Sequence, residues 1–168
     1  WYISRTLTSL LSQSMRPEDF EVLVIDDSST DDSVKLLLPY LDSVRVIKSD
    51  THTGVIAICN EGFRRAKGQY LVRVDYVNRN FLEVEALFLE ENKELDAVCC
   101  DYYKVDGKGN RLSRHDAAKE PIACGVMFRR EALVNAGMYP ENGNMWEDRD
   151  FVQRIKPYRI PLPLYRYL

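Results

Sequence analysis

The chain alternates short runs of consecutive apolar residues with longer stretches in which apolar residues recur every three or four positions. The first pattern reads as buried strands and the second as amphipathic helices. Ile3, Leu7, Leu10, Leu11 and Met15 give residues 2–15 helical spacing, which Arg16-Pro17 closes. Val22 to Ile25 then run straight into Asp26 and Asp27, predicting a strand over 21–26 with two acids at its C-terminal end. Residues 31–41 predict a helix with Val34, Leu37, Leu38 and Leu41 inward, and 44–47 a second strand. A helix over 55–67 follows Gly54 and stops at Gly68 behind Arg64, Arg65 and Lys67. Residues 69–75 (QYLVRVD) read as a third strand, and Asn80 as the cap of a helix over 81–93. A fourth strand covers 96–103, with a turn at 106–110. Beyond Pro121 come a strand over 122–128, a short helix over 130–136, and a helix opening at Trp146-Glu147-Asp148. Residues 158–167 are extended, with Pro161 and Pro163 assigning them to a sheet edge.

Strands alternating with helices predict an α/β fold with a mostly parallel sheet, to which the late segments add mixed or antiparallel strands. The 168 residues are the size of one domain. With 45% hydrophobic and 29% charged residues, the composition is that of an ordinary globular protein. A net charge of −3 without a basic stripe gives no sign of a nucleic-acid partner. No apolar run is long enough to span a bilayer, and no signal-peptide pattern opens the chain. Cys59, Cys99, Cys100 and Cys124 lack metal-ligand spacing, and adjacent strand cysteines face opposite ways, so free buried thiols in a reducing compartment are expected. No G-x-G-x-x-G follows a strand, which disfavours a dinucleotide-binding oxidoreductase.

Asp26-Asp27, Asp75 and Glu147-Asp148 are acids at the ends of expected elements. Each alone reads as ordinary capping, whereas carboxylates converging on one sheet edge can hold a divalent cation, accept hydrogen bonds from a nucleotide or act as a general base. The succession VLVIDDSSTDDS, a Gly-led helix with Asn60, KGQYLVRVD, CGVMFRREAL and WEDRDF resembles the family 2 glycosyltransferases of GT-A fold. The resemblance covers almost the whole chain, and it implies a Rossmann-like mixed sheet flanked by helices. Residues 1–80 would form the nucleotide-binding part and 81–168 the acceptor and catalytic part.

What the resemblance implies is an inverting transfer from a nucleoside-diphosphate sugar to an acceptor hydroxyl, in surface polysaccharide or glycolipid synthesis. Asp27, with Asp26 beside it, would contact the nucleotide base. Asp75 would lead a D-x-D motif that binds ribose and a diphosphate bridged by Mn²⁺ or Mg²⁺. Asp148 would be the general base, and Glu147 would support the loop or position the acceptor. Trp146 would wall the sugar pocket or pack at the helix entrance, and Gly125 would permit close backbone approach on the acceptor side. A saccharide or lipid-linked acceptor, a cytoplasmic location at the inner face of the membrane, peripheral membrane association and a homodimer are all compatible with it.

Three departures accompany the resemblance. The family's first strand is missing, which would leave an unpaired sheet edge. Asp75 is followed directly by Tyr76, so the second acid of the motif is absent. This reads either as a degenerate site or as residues omitted at that point, and the resumption of the pattern at YVNRNFLEVE favours omission. The chain also stops before the family's basic, His-containing segment. A sugar nucleotidyltransferase and a non-catalytic nucleotide-sugar binding module are the alternatives.

Overall fold

The computed structural model describes residues 2–140 and 147–168, with the side chains of 147–149 outside that description. Its elements in order are α1 (Tyr2–Leu11), β1 (Leu23–Asp26), β2 (Arg45–Lys48), α2 (Val55–Arg65), β3 (Tyr70–Val72), β4 (Tyr76–Val77), α3 (Phe81–Glu91), β5 (Ala97–Val105), β6 (Arg111–His115), β7 (Val126–Arg129), α4 (Arg130–Asn135), α5 (Glu147–Ile155) and β8 (Tyr158–Tyr167). The strands form two sheets among the described residues. β1 and β2 pair in parallel, and the others run β3-β7-β5-β8-β4 with β6 attached to β5. In the larger sheet only β5 and β8 are parallel, so the fold is α/β with a mixed sheet.

Side chains of a strand alternate between its faces, and β5 and β7 use that period to build two cores. Val98, Cys100, Tyr102 and Met127 face a cluster completed by Leu7 and Leu10 of α1 and Phe81 and Leu89 of α3. Ala97, Cys99, Val126 and Phe128 face the other, completed by Phe63 of α2, Leu133 of α4, and Phe151 and Val152 of α5. The sheet is therefore sandwiched between helices, and Cys99 and Cys100 point to opposite faces as the sequence predicts. All four cysteines are free thiols.

Three expectations change, and one strand is new. Residues 31–41 form turns and a 3-10 helix over Lys35–Tyr40 instead of an α-helix. Pro39 cannot donate the backbone bond that a helix interior needs, and only Leu37 of the expected inward set is buried, Leu38 being 65% exposed. Asn80 precedes α3 without a side-chain capping bond. Its amide instead reaches Ser14 Oγ at 3.2 Å. The charged segment RLSRH is β6, a hairpin partner of β5. Finally, β8 is not confined to an edge, because it lies between β5 and β4. Its prolines fit because the register with β5 slips around Asp101, and because β4 pairs only with Tyr165 and Arg166, beyond them.

β1 and β3 are not hydrogen-bonded to each other. Between them runs an apolar groove of about 440 Å³, lined on one side by Val22 to Ile25 and on the other by Leu71 to Val74. Asp26 and Asp75 each follow the last lining residue of their wall.

Candidate active site

At the end of β1, Asp27 fastens the loop before α2. One carboxylate oxygen accepts the Thr53 backbone N–H at 2.8 Å and the Thr53 hydroxyl at 3.0 Å. The other accepts the Gly54 N–H at 2.9 Å and lies 3.0 Å from His52 Nδ1. The Thr53 amide, with Gly54 N–H, the Thr53 hydroxyl and His52 adding to it, stabilises the ionised form, so the pKa of Asp27 is lowered despite some opposing burial. Asp26 accepts the Ser29 N–H at 3.0 Å and closes the turn that follows. His52, 80% exposed, is a partner of Asp27.

Asp75 is exposed at the turn between β3 and β4. Its backbone N–H donates to the Tyr165 hydroxyl at 2.7 Å. Tyr165 is almost wholly buried, and burial pushes its hydroxyl pKa well up, with the Cys124 and Asp75 charges adding to it. The same ring lies against Gly125. A Cβ there would come within 2.5 Å of the ring, at a φ of +72° that disfavours any L side chain. Gly125 N–H donates to the Arg73 carbonyl at 2.8 Å. Two residues singled out in the sequence, Asp75 and Gly125, are thus joined through Tyr165, which the sequence reading missed. Its signal was the alternation LPLYRYL, obscured by the edge assignment of that strand.

Arg73 sits behind Asp75 and is largely enclosed. Burial opposes its charge, but the thiols of Cys59 and Cys124 and the Tyr139 hydroxyl outweigh this, and its pKa is raised. The Cys59 sulfur lies 3.7 Å from its guanidinium. Cys124 is pushed up to about 11, chiefly by burial and then by the Asp75 charge, so its thiol is neutral at physiological pH.

The position of α5 is set by aromatic packing. Tyr139 exchanges two bonds with the buried Asn60 side chain, Nδ2 donating to its carbonyl at 2.7 Å and its N–H donating to Oδ1 at 3.0 Å. Its ring packs edge-on to Phe63 and Phe151. Phe151 and Val152 are buried, which fixes the helix that begins with Glu147 and Asp148. Trp146 and the side chains of Glu147 and Asp148 lie outside the described residues.

Arg129 and Arg130 are structural. Arg129 donates to the carbonyls of Leu95 and Asn92 at 2.8 and 3.2 Å and to that of Leu89, closing the end of α3. Arg130 donates to Gly68 and Ala66 carbonyls beyond α2.

Among the described residues no group of three His, Cys, Asp or Glu side chains gathers around a metal position. Asp75 leads directly into β4, whose Tyr76 hydroxyl accepts from Arg166. A hard divalent ion at a phosphate site takes one or two carboxylates and completes its shell with water and phosphate oxygens. One exposed carboxylate fits such a substrate-bridged ion and falls short of a preformed protein cage.

The model for glycosyl transferase family 2 matches residues 2–152. The chain belongs to that family. It is 30% identical over 114 residues to the poly(ribitol-phosphate) beta-N-acetylglucosaminyltransferase TarS of Staphylococcus aureus, covering 64% of this chain and 20% of that one. It is 34% identical over 116 residues to a poly(ribitol-phosphate) beta-glucosyltransferase of Bacillus spizizenii, covering 64% and 18%. This family 2 chain therefore spans about a fifth of the length of either relative. Its fold superposes on S. aureus TarS 1–349 in complex with UDP-GlcNAc with a TM-score of 0.83, at 23% identity over 99% of this chain and 54% of that one. It also superposes on a mannosyltransferase of Pyrobaculum calidifontis in complex with GDP-Man and Mn²⁺, with a TM-score of 0.75 at 17% identity, covering 99% and 53%.

Proposed function

We propose that this family 2 domain transfers a sugar, with inversion, from a nucleoside-diphosphate sugar to a hydroxyl of a surface-polysaccharide acceptor. The observation that carries the reading is the joining of Asp75, Tyr165 and Gly125 at the end of β3, in a family 2 chain whose α5 begins with Glu147-Asp148. The relatives named above act on poly(ribitol-phosphate), and the solved neighbours hold UDP-GlcNAc or GDP-Man with Mn²⁺.

In this reading the ends of β1 and β3 bind the nucleotide. Asp27 holds the 52–54 loop and, with its ionised oxygens, offers acceptance to base N–H donors. Asp75 is the residue that would hold Mn²⁺ or Mg²⁺, which when bound offsets charge on the departing diphosphate. Asp148 removes the proton from the acceptor hydroxyl as its oxygen attacks the anomeric carbon. The bond to the diphosphate breaks on the opposite side, so configuration inverts. Tyr165 and Gly125 hold the Asp75 backbone in place without touching the reacting atoms.

The test is titration of UDP- and GDP-sugars with and without Mn²⁺, repeated with Asp148→Asn. Donor binding that survives the substitution while transfer falls at least a hundredfold supports these roles. Turnover that persists in Asp148→Asn rules them out.

A further inference from the structure

Asp27 is the nucleotide contact in the reading above, yet its carboxylate is already fully engaged. A carboxylate offers about four acceptor directions, two on each oxygen. The Thr53 N–H and hydroxyl take both on one oxygen, and the Gly54 N–H takes one on the other. The fourth faces His52, whose Nδ1 lies 3.0 Å from that oxygen and 3.2 Å from the Asp27 carbonyl. A base N–H that comes to Asp27 must therefore displace one of these donors.

The donors are not equally displaceable. The Thr53 and Gly54 N–H groups belong to backbone that leads directly into α2, and Gly54 reaches Asp27 at a φ of +89°, which L side chains disfavour. Losing either bond would leave a backbone donor unpaired at the entry of the helix. His52 is a side chain that is 80% exposed, and among the described residues its only polar partner is Asp27. It can swing into water at the cost of one exposed contact, which is weak. The loop delivers it to this position. Ser49 N–H donates to the Asp26 carbonyl at 2.8 Å, and the Ser49 hydroxyl donates to the Thr51 carbonyl at 2.6 Å, folding 49–51 back towards the end of β1.

The charged groups at this end of the β1–β2 pair are Asp26 and Asp27, Asp31 and Asp32 in the turn that follows, Lys48 at the end of β2, and Asp50 in the loop of His52 itself. Residues 55–58, the first turn of α2, carry none. Asp26 is committed to the Ser29 N–H, Asp31 to the Ser33 N–H and Asp32 to Lys35. Among the described residues Asp27 is the one carboxylate within ion-pair distance of His52.

We propose that His52 is a further residue of the nucleotide site, covering the last acceptor position of Asp27 until the base of the donor displaces it. The inference rests on the nucleotide-sugar reading of Asp27. The ligand class it selects is a base with a ring N–H, as in uracil or guanine, over cytosine or adenine. An imidazolium is held by a carboxylate more firmly than a neutral imidazole, and histidines change charge between about pH 5 and 8. Protonation of His52 therefore competes with the base, and binding of the base releases that proton. Donor affinity rises with pH over this range.

The experiment is calorimetry with UDP-GlcNAc and GDP-Man, Mn²⁺ being present throughout, at about pH 5.5, 6.5 and 8. It uses the wild type, His52→Ala and His52→Lys, each in two buffers of different ionisation enthalpy. Neither the diphosphate diester nor the base of these probes titrates in this range. The wild type should bind at least one probe about fivefold or more tightly at the highest pH than at the lowest, with release of a proton. His52→Ala should bind at every pH as tightly as the wild type does at the highest. His52→Lys, cationic throughout, should bind weakly at all three. A wild-type affinity that does not change with pH, a pH dependence that survives in His52→Ala, or an affinity that rises as pH falls overturns the proposal while leaving the nucleotide-sugar reading in place. Absence of binding by both probes to all three proteins would overturn that reading, and this inference with it.

Discussion

The strands VLVID and AVCCD look alike in sequence, yet they end in different surroundings. Every residue of β1 stays half-buried, whereas Ala97 to Tyr102 of β5 are all buried. β5 has partners on both sides and helices on both faces. β1 has β2 on one side and the apolar groove facing β3 on the other. The six-stranded sheet is held by packing. The two-stranded sheet packs Val22, Val24, Val44 and Val46 against one of the same cores and adds polar contacts at its ends, among them Asp27 to the 52–54 loop and Arg45 to Glu21 at 3.1 Å. An apolar run therefore reports that a strand is buried somewhere, and says little about how many of its flanks are filled.

The largest effect should come from the junction of the larger sheet with the site. Gly125→Val places methyl groups into the Tyr165 ring at an unfavourable φ, and should destabilise by about 3 kcal/mol or more. Urea unfolding measures it, and a change below about 1 kcal/mol would show that the Tyr165 ring can move aside. The comparison itself is tested by Phe128→Ala against Val24→Ala. The first should cost about 3–5 kcal/mol and the second about 1 kcal/mol or less, since Val24 already sees solvent. Equal losses would mean that the two sheets are one cooperative layer.

Glu85 of α3 and Asp27 should give pH slopes of opposite sign. Glu85 is fully buried, and burial raises its pKa well above the ordinary 4.5, opposed by the neighbouring Cys100 thiol. The folded state therefore keeps a proton that the unfolded chain loses above about pH 4.5, and stability falls as pH rises from there towards the folded pKa. Glu85→Leu should flatten that slope and stabilise by about 1–2 kcal/mol at pH 8. Melting temperatures across pH 4–9 decide this, and a variant that is less stable at every pH would show that the carboxyl has a role of its own. The smallest effect is expected for Asp27→Asn, below about 1 kcal/mol, because the amide oxygen of asparagine can keep the Thr53 bonds and the His52 partner is 80% exposed. Its pKa is lowered, so the stability it adds is present above the unfolded carboxyl value and is lost as pH falls through the folded one. Acid melts of the two proteins should converge at low pH.

Helices α2 and α3 and strands β1, β2 and β5 were legible because their apolar spacing had no competing reading. Residues 31–41 were misread because the leucine spacing masked Pro39. In β8, Pro161 and Pro163 signal an edge strand and mask the contrary signal of the two buried or half-buried tyrosines that follow them. Asp26-Asp27 and Asp75 were legible as acids that follow strands, and Asn60 as part of the resemblance. Tyr165 and the arginines at 129 and 130 were not legible, since their roles depend on which distant backbone groups happen to need a partner. No local pattern encodes that.

The placement of β8 bears on how the chain is made. Its residue Arg159 docks beside Asp101, 58 residues upstream, and Arg166 beside Tyr76, 90 residues upstream. During synthesis β5 is therefore extruded with an open edge well before the strand that covers it exists. An open apolar edge invites pairing with a neighbouring nascent chain. Asp101, with Arg114 of the β6 hairpin beside it and Arg159 still to come, puts charged groups next to that edge and discourages such pairing. The network that steadies the finished protein would thus begin its service as a guard on the ribosome.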